Sequence, residues 1–229
     1  MKILVFDSGP VISLALSNLL WILPELKKKF KGRFLIPEGV KKELVDIPLK
    51  GKKFKLEAIQ LLSLIKDKTL EVINDKKVTE KAKELVDEAN KIFKGYHHNI
   101  KIIQTGEMEA MAMAELYNAN GVVIDERITR TLIEHPYGLK KHMERKLHTR
   151  LSVNKKLLEK LSSELDDIYI IRSTELVAVA FESGILDKYL KSKSVSKKDL
   201  LDAALWAVKL RGCSITDNEI HQIIREELR

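Results

Sequence analysis

Hydrophobic and polar positions follow two periods along this chain. Lys2 to Phe6 (KILVF) is a near-continuous apolar run, the pattern of a strand covered on both faces by its layers. Asp7-Ser8-Gly9-Pro10 follows as a turn and helix start, with Pro10 near the first helical position. Helical pattern continues to Phe30 with a break around Pro24, and Arg33 to Ile36 is a second short strand. Pro37 opens a helix that includes Val40, Glu43 and Leu44; Lys55 to Ile65 is another, and Leu70 to Ile73 a third strand. Val78 to Phe93 is amphipathic, with Ala82, Leu85, Val86, Ala89 and Phe93 on one face. Gly106 to Tyr117 (GEMEAMAMAELY) is apolar almost all round and predicts a buried helix. Gly121 to Ile124 (GVVI) is a further buried strand, followed by Asp125 and the helix ERITRTLIEH. Asp167 to Ile171 is a strand, and Ser173 or Thr174 caps the helix ELVAVAFESG.

Strands alternating with helices predict an α/β fold: a small parallel β-sheet flanked by helices in three layers, α/β/α. The end of the chain reads differently. Ser196-x-x-Asp199 and Thr216-x-x-Glu219 are capping boxes, each opening a helix, which predicts a C-terminal helical hairpin over 184–229. Its apolar faces must pack somewhere, on this domain or on a second copy as a homodimer.

Charge refines this picture. The 229 residues carry 41 Lys and Arg against 33 Asp and Glu, net +8. Pro24 to Lys55 holds eleven Lys and Arg against four acids, and Pro136 to Lys160 holds eight against two, so the remainder is acidic. Two basic segments on an acidic body suggest a polyanionic partner, with Lys140, Lys141 and Arg145 as backbone contacts; solvated helix faces are the plain alternative. Few aromatic residues lie among these lysines, so base stacking gains no support. The run Val11 to Leu23 is interrupted by Ser13, Ser17 and Asn18 and is too short and polar to span a bilayer. No secretory pattern precedes it, and the single cysteine, Cys213, excludes an internal disulfide. A cytoplasmic protein with no membrane partner is expected. Abundant Lys and Glu with only three Gln is a weak thermophile signal. No dinucleotide or P-loop glycine motif occurs. His97 and His98 are adjacent and would face opposite ways on a strand, so a shared metal is not expected.

The candidate chemistry is carboxylate chemistry. Ligands of open parallel sheets bind beyond the carboxyl ends of strands, where two strands here run directly into Asp7 and Asp125. Each is also a favoured helix N-cap. Glu107 and Glu109 lie in the first turn of the Ala- and Met-rich helix; Glu107 complements its dipole, whereas Glu109, hemmed in by Met108, Ala110 and Met111, needs a partner or a metal. Glu43 is a fourth candidate. Carboxylates gathered at one sheet edge repel each other, and a divalent cation relieves the repulsion. All-oxygen donors favour Mg²⁺ or Mn²⁺, a setting suited to phosphodiester cleavage.

Four segments in this order, KILVFDSGPVISLA, IPEGVKKELVD, TGEMEAMAMA and GVVIDERITR, resemble those of the PIN-domain nucleases, including VapC-like, archaeal-type members. The resemblance covers residues 1–183, with insertions near 46–66 and 135–166. It implies a metal-dependent endoribonuclease with Asp7, Glu43 and Glu109 as its first three acids and Asp125 or Glu126 as the fourth, Asp125 being preferred, with Glu107 beside Glu109 at the metal. Ser8 takes the small hydroxyl position after the first acid, and Arg127 and Arg130 approach the phosphate. Relatives include toxins of VapBC-type toxin–antitoxin pairs, which would add an antitoxin as partner, and RNA-processing nucleases leaving a 5′-phosphate and 3′-hydroxyl. The alternatives are a PIN-like RNA- or protein-binding module without catalysis and, because the EMEA pair resembles the flap endonucleases, a structure-specific DNA nuclease. A rival register with Asp199 or Asp202 and Asp217 as acids is set aside, because CSIT is a poor strand beside GVVI.

Overall fold

Side chains on a strand point alternately to opposite faces, and this period sorts the core into two. Leu4, Phe6, Phe34, Ile36 and Val123 face one hydrophobic cluster, whereas Val5, Leu35, Val122 and Ile124 face another. A computed structural model describes residues 2–191 and 194–228. In it β1 (Ile3–Phe6) leads into α1 (Ser8–Leu16) and α2 (Ile22–Phe30), then β2 (Arg33–Pro37). A continuous helical stretch follows, made of α3 (Glu38–Lys41), a π-helical turn (Lys42–Asp46) and α4 (Ile47–Lys50), then α5 (Lys55–Lys66) and β3 (Glu71–Ile73). The chain continues through α6 (Lys76–Ala89), β4 (Phe93–Gly95), β5 (His98–Asn99), α7 (Thr105–Leu116), β6 (Gly121–Val123) and α8 (Arg127–Glu134). It ends with α9 (Pro136–Leu147), β7 (Ser152–Val153), α10 (Lys155–Leu165), β8 (Tyr169–Ile171), α11 (Ser173–Glu182), a 3₁₀ turn (Ile185–Lys191), α12 (Lys197–Leu210) and α13 (Asp217–Glu227).

The main sheet is parallel throughout, in the order β3-β2-β1-β6-β8. Its first cluster is covered by α1, α2, α5, α11, α12 and α13, its second by α6 to α10. The result is a three-layer α/β/α sandwich. From β1 the chain builds outward to β2 and β3, then crosses to β6 on the other flank. The reversal lies between β1 and β6, which is where open sheets of this kind place their ligands.

Local structure departs from expectation in four places. Pro24 does not break a helix: the chain turns at Asn18, whose φ is 56°, and Pro24 sits in the first turn of α2, where a backbone N–H is dispensable. The helix expected to reach Phe93 stops at Ala89, because the Asn90 side chain satisfies the backbone of Ile102 and Ile103 and turns the chain. Phe93 then joins β4, part of a small antiparallel sheet with β5 and β7. Third, the helix after Pro37 widens to a π turn one residue before Pro48 can take part, because proline lacks the N–H that an α-helical bond to Leu44 requires. Fourth, the N-cap of α11 is Arg172, and Ser173 and Thr174 are buried inside the helix. The C-terminal capping boxes form as read, and α12 and α13 pack on α11 through Leu201, Leu205, Val208 and Ile220. Their apolar faces are therefore used within the chain. No helix among the described residues is long and apolar enough to cross a membrane.

Candidate active site

Because β1 pairs with β6, the residues that follow them are neighbours. Asp7 closes β1 in extended conformation and caps α1, its Oδ2 accepting from Gly9 N at 3.2 Å. Gly9 lies between the two aspartates: a methyl group there would stand 3.3 Å from Asp7 Oδ2 and 3.7 Å from Asp125 Cβ. Asp7 is 8% exposed. Burial, and then the charges of Glu43 and Asp125, push its carboxyl up to about 7, against the pull of the Ser8 and Gly9 amides. Glu43 is exposed on the π turn. Ser8 is buried at the start of α1.

Asp125 is 2% exposed and bonded on every side. Its Oδ1 accepts from Ser173 N, and its Oδ2 from Ser13 Oγ and Ser173 Oγ, all at 2.8 Å. It ties α1 to α11 beneath the sheet edge. Its carbonyl accepts from Ser214 N at 3.3 Å, which ties in the segment between α12 and α13. Burial, followed by the Asp125 charge, raises the Cys213 thiol to about 11, so this cysteine is an inert packing residue.

Glu109 is half-buried on α7 and faces the first turn of α3. Burial raises its carboxyl, while the Gly39 amide, which it accepts from, works against this. A Cβ at position 39 would overlap the Glu109 carboxylate, so the close approach depends on glycine. From the sequence, Gly39, Ser13 and Ser173 have no role at the site: Ser173 reads as a helix cap and Ser13 as a polar break in an apolar run. The only signal was a glycine in the first turn of IPEGV; nothing local marks the two serines, whose partner is more than 40 residues away in sequence.

The other predicted residues are placed elsewhere. Glu107 closes a capping box, its Oε2 accepting from Gln104 N at 2.8 Å. Glu126 caps α8 with both oxygens, from Ile128 N at 2.7 Å and Thr129 N at 2.6 Å. Both carboxylates are engaged as helix caps. Arg130 donates to the Ser214 carbonyl at 2.9 Å, and Arg127 is exposed beside it. Lys140 is held by Glu144 at 2.9 Å within α9; Lys141 and Arg145 are exposed on the same helix, along a cleft with His148 and Arg150. In the rival register, Asp199 bonds Ser196 and Asp217 pairs with Lys209, so both are structural.

Elsewhere, buried or half-buried acids such as Glu71, Glu164 and Glu219 are neutralised by Lys or Arg. No such partner pairs with Asp7, Glu43, Glu109 or Asp125 among the described residues. A PIN-domain family model, DUF3368, matches residues 3–142, which include β1, β2, α7 and β6 with all four acids. The chain belongs to the PIN-domain family. The searches of curated proteins and of solved structures each found no significant match.

PIN domains are typically nucleases and generally use divalent metal ions. The donor set here fits that chemistry: all oxygen, buried at its centre and without a cationic partner. The acids are not drawn into one shell, since no three His, Cys, Asp or Glu side chains among the described residues stand close enough to share an ion. Asp125 is locked by its three donors. Glu43 is exposed and Glu109 half-buried in this PIN domain.

Proposed function

We propose that this PIN domain is a metal-dependent endoribonuclease. The observation that carries the reading is the unpaired acidic group at the reversal between β1 and β6, in a chain of net charge +8. Asp7, Glu43 and Glu109 would hold the cation. The chemistry that a bound Mg²⁺ or Mn²⁺ supplies is polarisation of a phosphoryl oxygen and a more acidic water. Asp7 supplies its charge to the site once its proton is lost near pH 7. Asp125 fixes Ser13 and Ser173, and through them the relative position of α1 and α11. Water attacks phosphorus in line and the P–O3′ bond breaks, leaving a 5′-phosphate and a 3′-hydroxyl, with the proton passing to the departing oxygen through solvent. The basic segments 24–55 and 136–160 hold the strand by its phosphates. The α/β unit over 1–183 carries this chemistry and residues 184–229 brace it.

One observation favours a second reading, a binding module without catalysis: the four acids do not converge. The deciding experiment incubates the protein with labelled single-stranded RNA and Mn²⁺ or Mg²⁺, beside EDTA and Asp7→Asn controls. Cleavage abolished by both controls is expected. RNA bound but never cut points to the binding module; cleavage of branched DNA alone points to a structure-specific DNA nuclease. A toxin role requires in addition a partner protein that inhibits the cut.

A further inference from the structure

The small antiparallel sheet β5-β4-β7 has no part in the mechanism above. Its β4–β5 hairpin turns through two residues, Tyr96 and His97, since Gly95 pairs with His98. Both have left-handed backbones, with φ of 50° and 67°. Two-residue turns of this hand favour Asn and Gly, because bulky side chains resist positive φ. Folding alone does not select a tyrosine and a histidine here, and strained positions of this kind cluster where a surface is used. Tyr96 is 72% exposed at the tip, with His97 and His98 exposed beside it.

The tip stands in a basic surround. Residues 91–106 contain no Asp or Glu and hold Lys91, Lys94 and Lys101. Pairing of β4 with β7 sets Lys94 opposite Ser152 and lays this stretch against the basic segment 136–160. A Cβ at Gly95 would stand 2.8 Å from Leu151 and 3.5 Å from Thr149, so Tyr96 adjoins the cleft of Arg145, His148 and Arg150. A second cleft, of about 670 Å³, runs from Asn99 of β5 to Gly106 in the first turn of α7. Lys83 and Lys101 line it, and its one lining acid, Asp87, is held by Lys91. Asn90 fixes this wall by bonding the Ile102 and Ile103 amides and the Ile103 carbonyl. The cleft therefore leads from the hairpin to the helix that carries Glu109. Rings beside cations suit a single strand of nucleic acid, whose phosphates follow the charges while an unpaired base lies on the ring. A duplex keeps its base faces stacked away from such a ring.

We propose that the β4–β5 hairpin is a base-stacking finger: Tyr96, with His97, stacks on an unpaired base of single-stranded RNA whose phosphates follow Lys101 and Lys83 toward α7. The inference rests on the nuclease reading and adds what selects the strand, a base free of a duplex.

The test is equilibrium binding in EDTA, so that nothing is cut, across a salt series. The probes are a labelled single-stranded RNA and an abasic strand of equal length. Wild type is compared with Tyr96→Ala, Tyr96→Phe, Tyr96→Asn/His97→Gly, Lys101→Ala and Tyr169→Ala, a tyrosine 77% exposed on the edge strand β8. Tyr96→Ala should weaken RNA binding about tenfold and leave the slope of log affinity against log salt unchanged, since no charge is lost. Tyr96→Phe keeps the ring, and Tyr169 lies outside the finger, so both variants should stay within about twofold. Lys101→Ala should lower the slope by about 0.7. Wild type should bind the abasic strand about tenfold more weakly than RNA, and Tyr96→Ala should add no further loss on it. Tyr96→Asn/His97→Gly installs the preferred turn, so it should melt no lower than wild type yet bind RNA at least about tenfold more weakly. Wild-type affinity in Tyr96→Ala and in the double variant would overturn the proposal. So would an equal loss for Tyr96→Ala on the abasic strand, a loss in Tyr96→Phe as large as in Tyr96→Ala, or a wild type that binds no RNA. Cleavage is scored separately. Weakened binding in Tyr96→Ala without cleavage by wild type keeps the finger and removes the nuclease reading, and cleavage by wild type with unchanged binding in Tyr96→Ala does the reverse.

Discussion

Asp7 is the residue at which folding and chemistry conflict. Its carboxyl is raised from the ordinary aspartate range to about 7, first by burial and then by Glu43 and Asp125. The folded state thus holds a proton that the unfolded chain has released above about pH 4. Stability from this group is complete below that pH, and it is lost as pH rises through 7, by at most about 4 kcal/mol. Asp7→Asn should therefore raise the melting temperature of the metal-free protein at pH 8 and leave it nearly unchanged at pH 4, while removing cleavage. Added Mn²⁺ should stabilise wild type more at pH 8 than at pH 6 and leave Asp7→Asn unmoved, because cation and proton compete for one carboxylate. Thermal melts across pH, with and without Mn²⁺, check both statements. Asp125 behaves differently, since its oxygens answer to protein donors. Asp125→Asn should keep the fold, because the Ser13 and Ser173 hydroxyls can turn to accept from the new amide. Asp125→Ala strands three buried donors and should cost about 3 kcal/mol or more in urea denaturation.

Between elements, the decisive contact is the approach of α7 to the first turn of α3. At Gly39 the Glu109 carboxylate occupies the space a side chain would take. Gly39→Ala would meet only the flexible end of Glu109, so the fold should hold, and Ala gains up to about 1 kcal/mol of helix propensity. Glu109 would be displaced, and cleavage should fall at least about tenfold, the effect of weakening one charge-assisted contact in the site. Unchanged activity in Gly39→Ala, by initial rates at saturating Mn²⁺, would remove Glu109 from the site. The sequence could mark Glu109 as an acid among Met and Ala, because that composition is local. It could not mark Glu107 or Glu126 as caps over ligands, since an acid in a first helical turn serves either purpose until its partner amides are known.

For the whole molecule, the C-terminal hairpin is part of the core. Leu200, Leu201, Leu205, Val208, Ile220 and Ile224 share one cluster with α1, α2 and α11. Removing residues 184–229 should leave that face of α11 bare and give an insoluble or molten product, seen by near-ultraviolet circular dichroism and gel filtration. A soluble, cooperatively melting 1–183 fragment would show that the hairpin is an appendage instead.

Several features were determined by the sequence alone. Runs such as KILVF and GVVI are strands because a parallel sheet hides both faces, and the period of two within them sends Val5 one way and Leu4 and Phe6 the other. The order of the acids, the capping boxes at Ser196 and Thr216, and the two basic segments are equally local. Tertiary structure decided everything that depends on long-range pairing. Pairing of β1 with β6 made Asp7 and Asp125 neighbours, and the return of α11 gave Asp125 its Ser173 donors. The fold-back of the C-terminal hairpin closed a cavity lined by Arg127 and Arg130 with Ser214. The physical reason is range. Periodicity and capping act over a few residues, whereas the charge state of a buried carboxylate is set by whatever the fold packs around it.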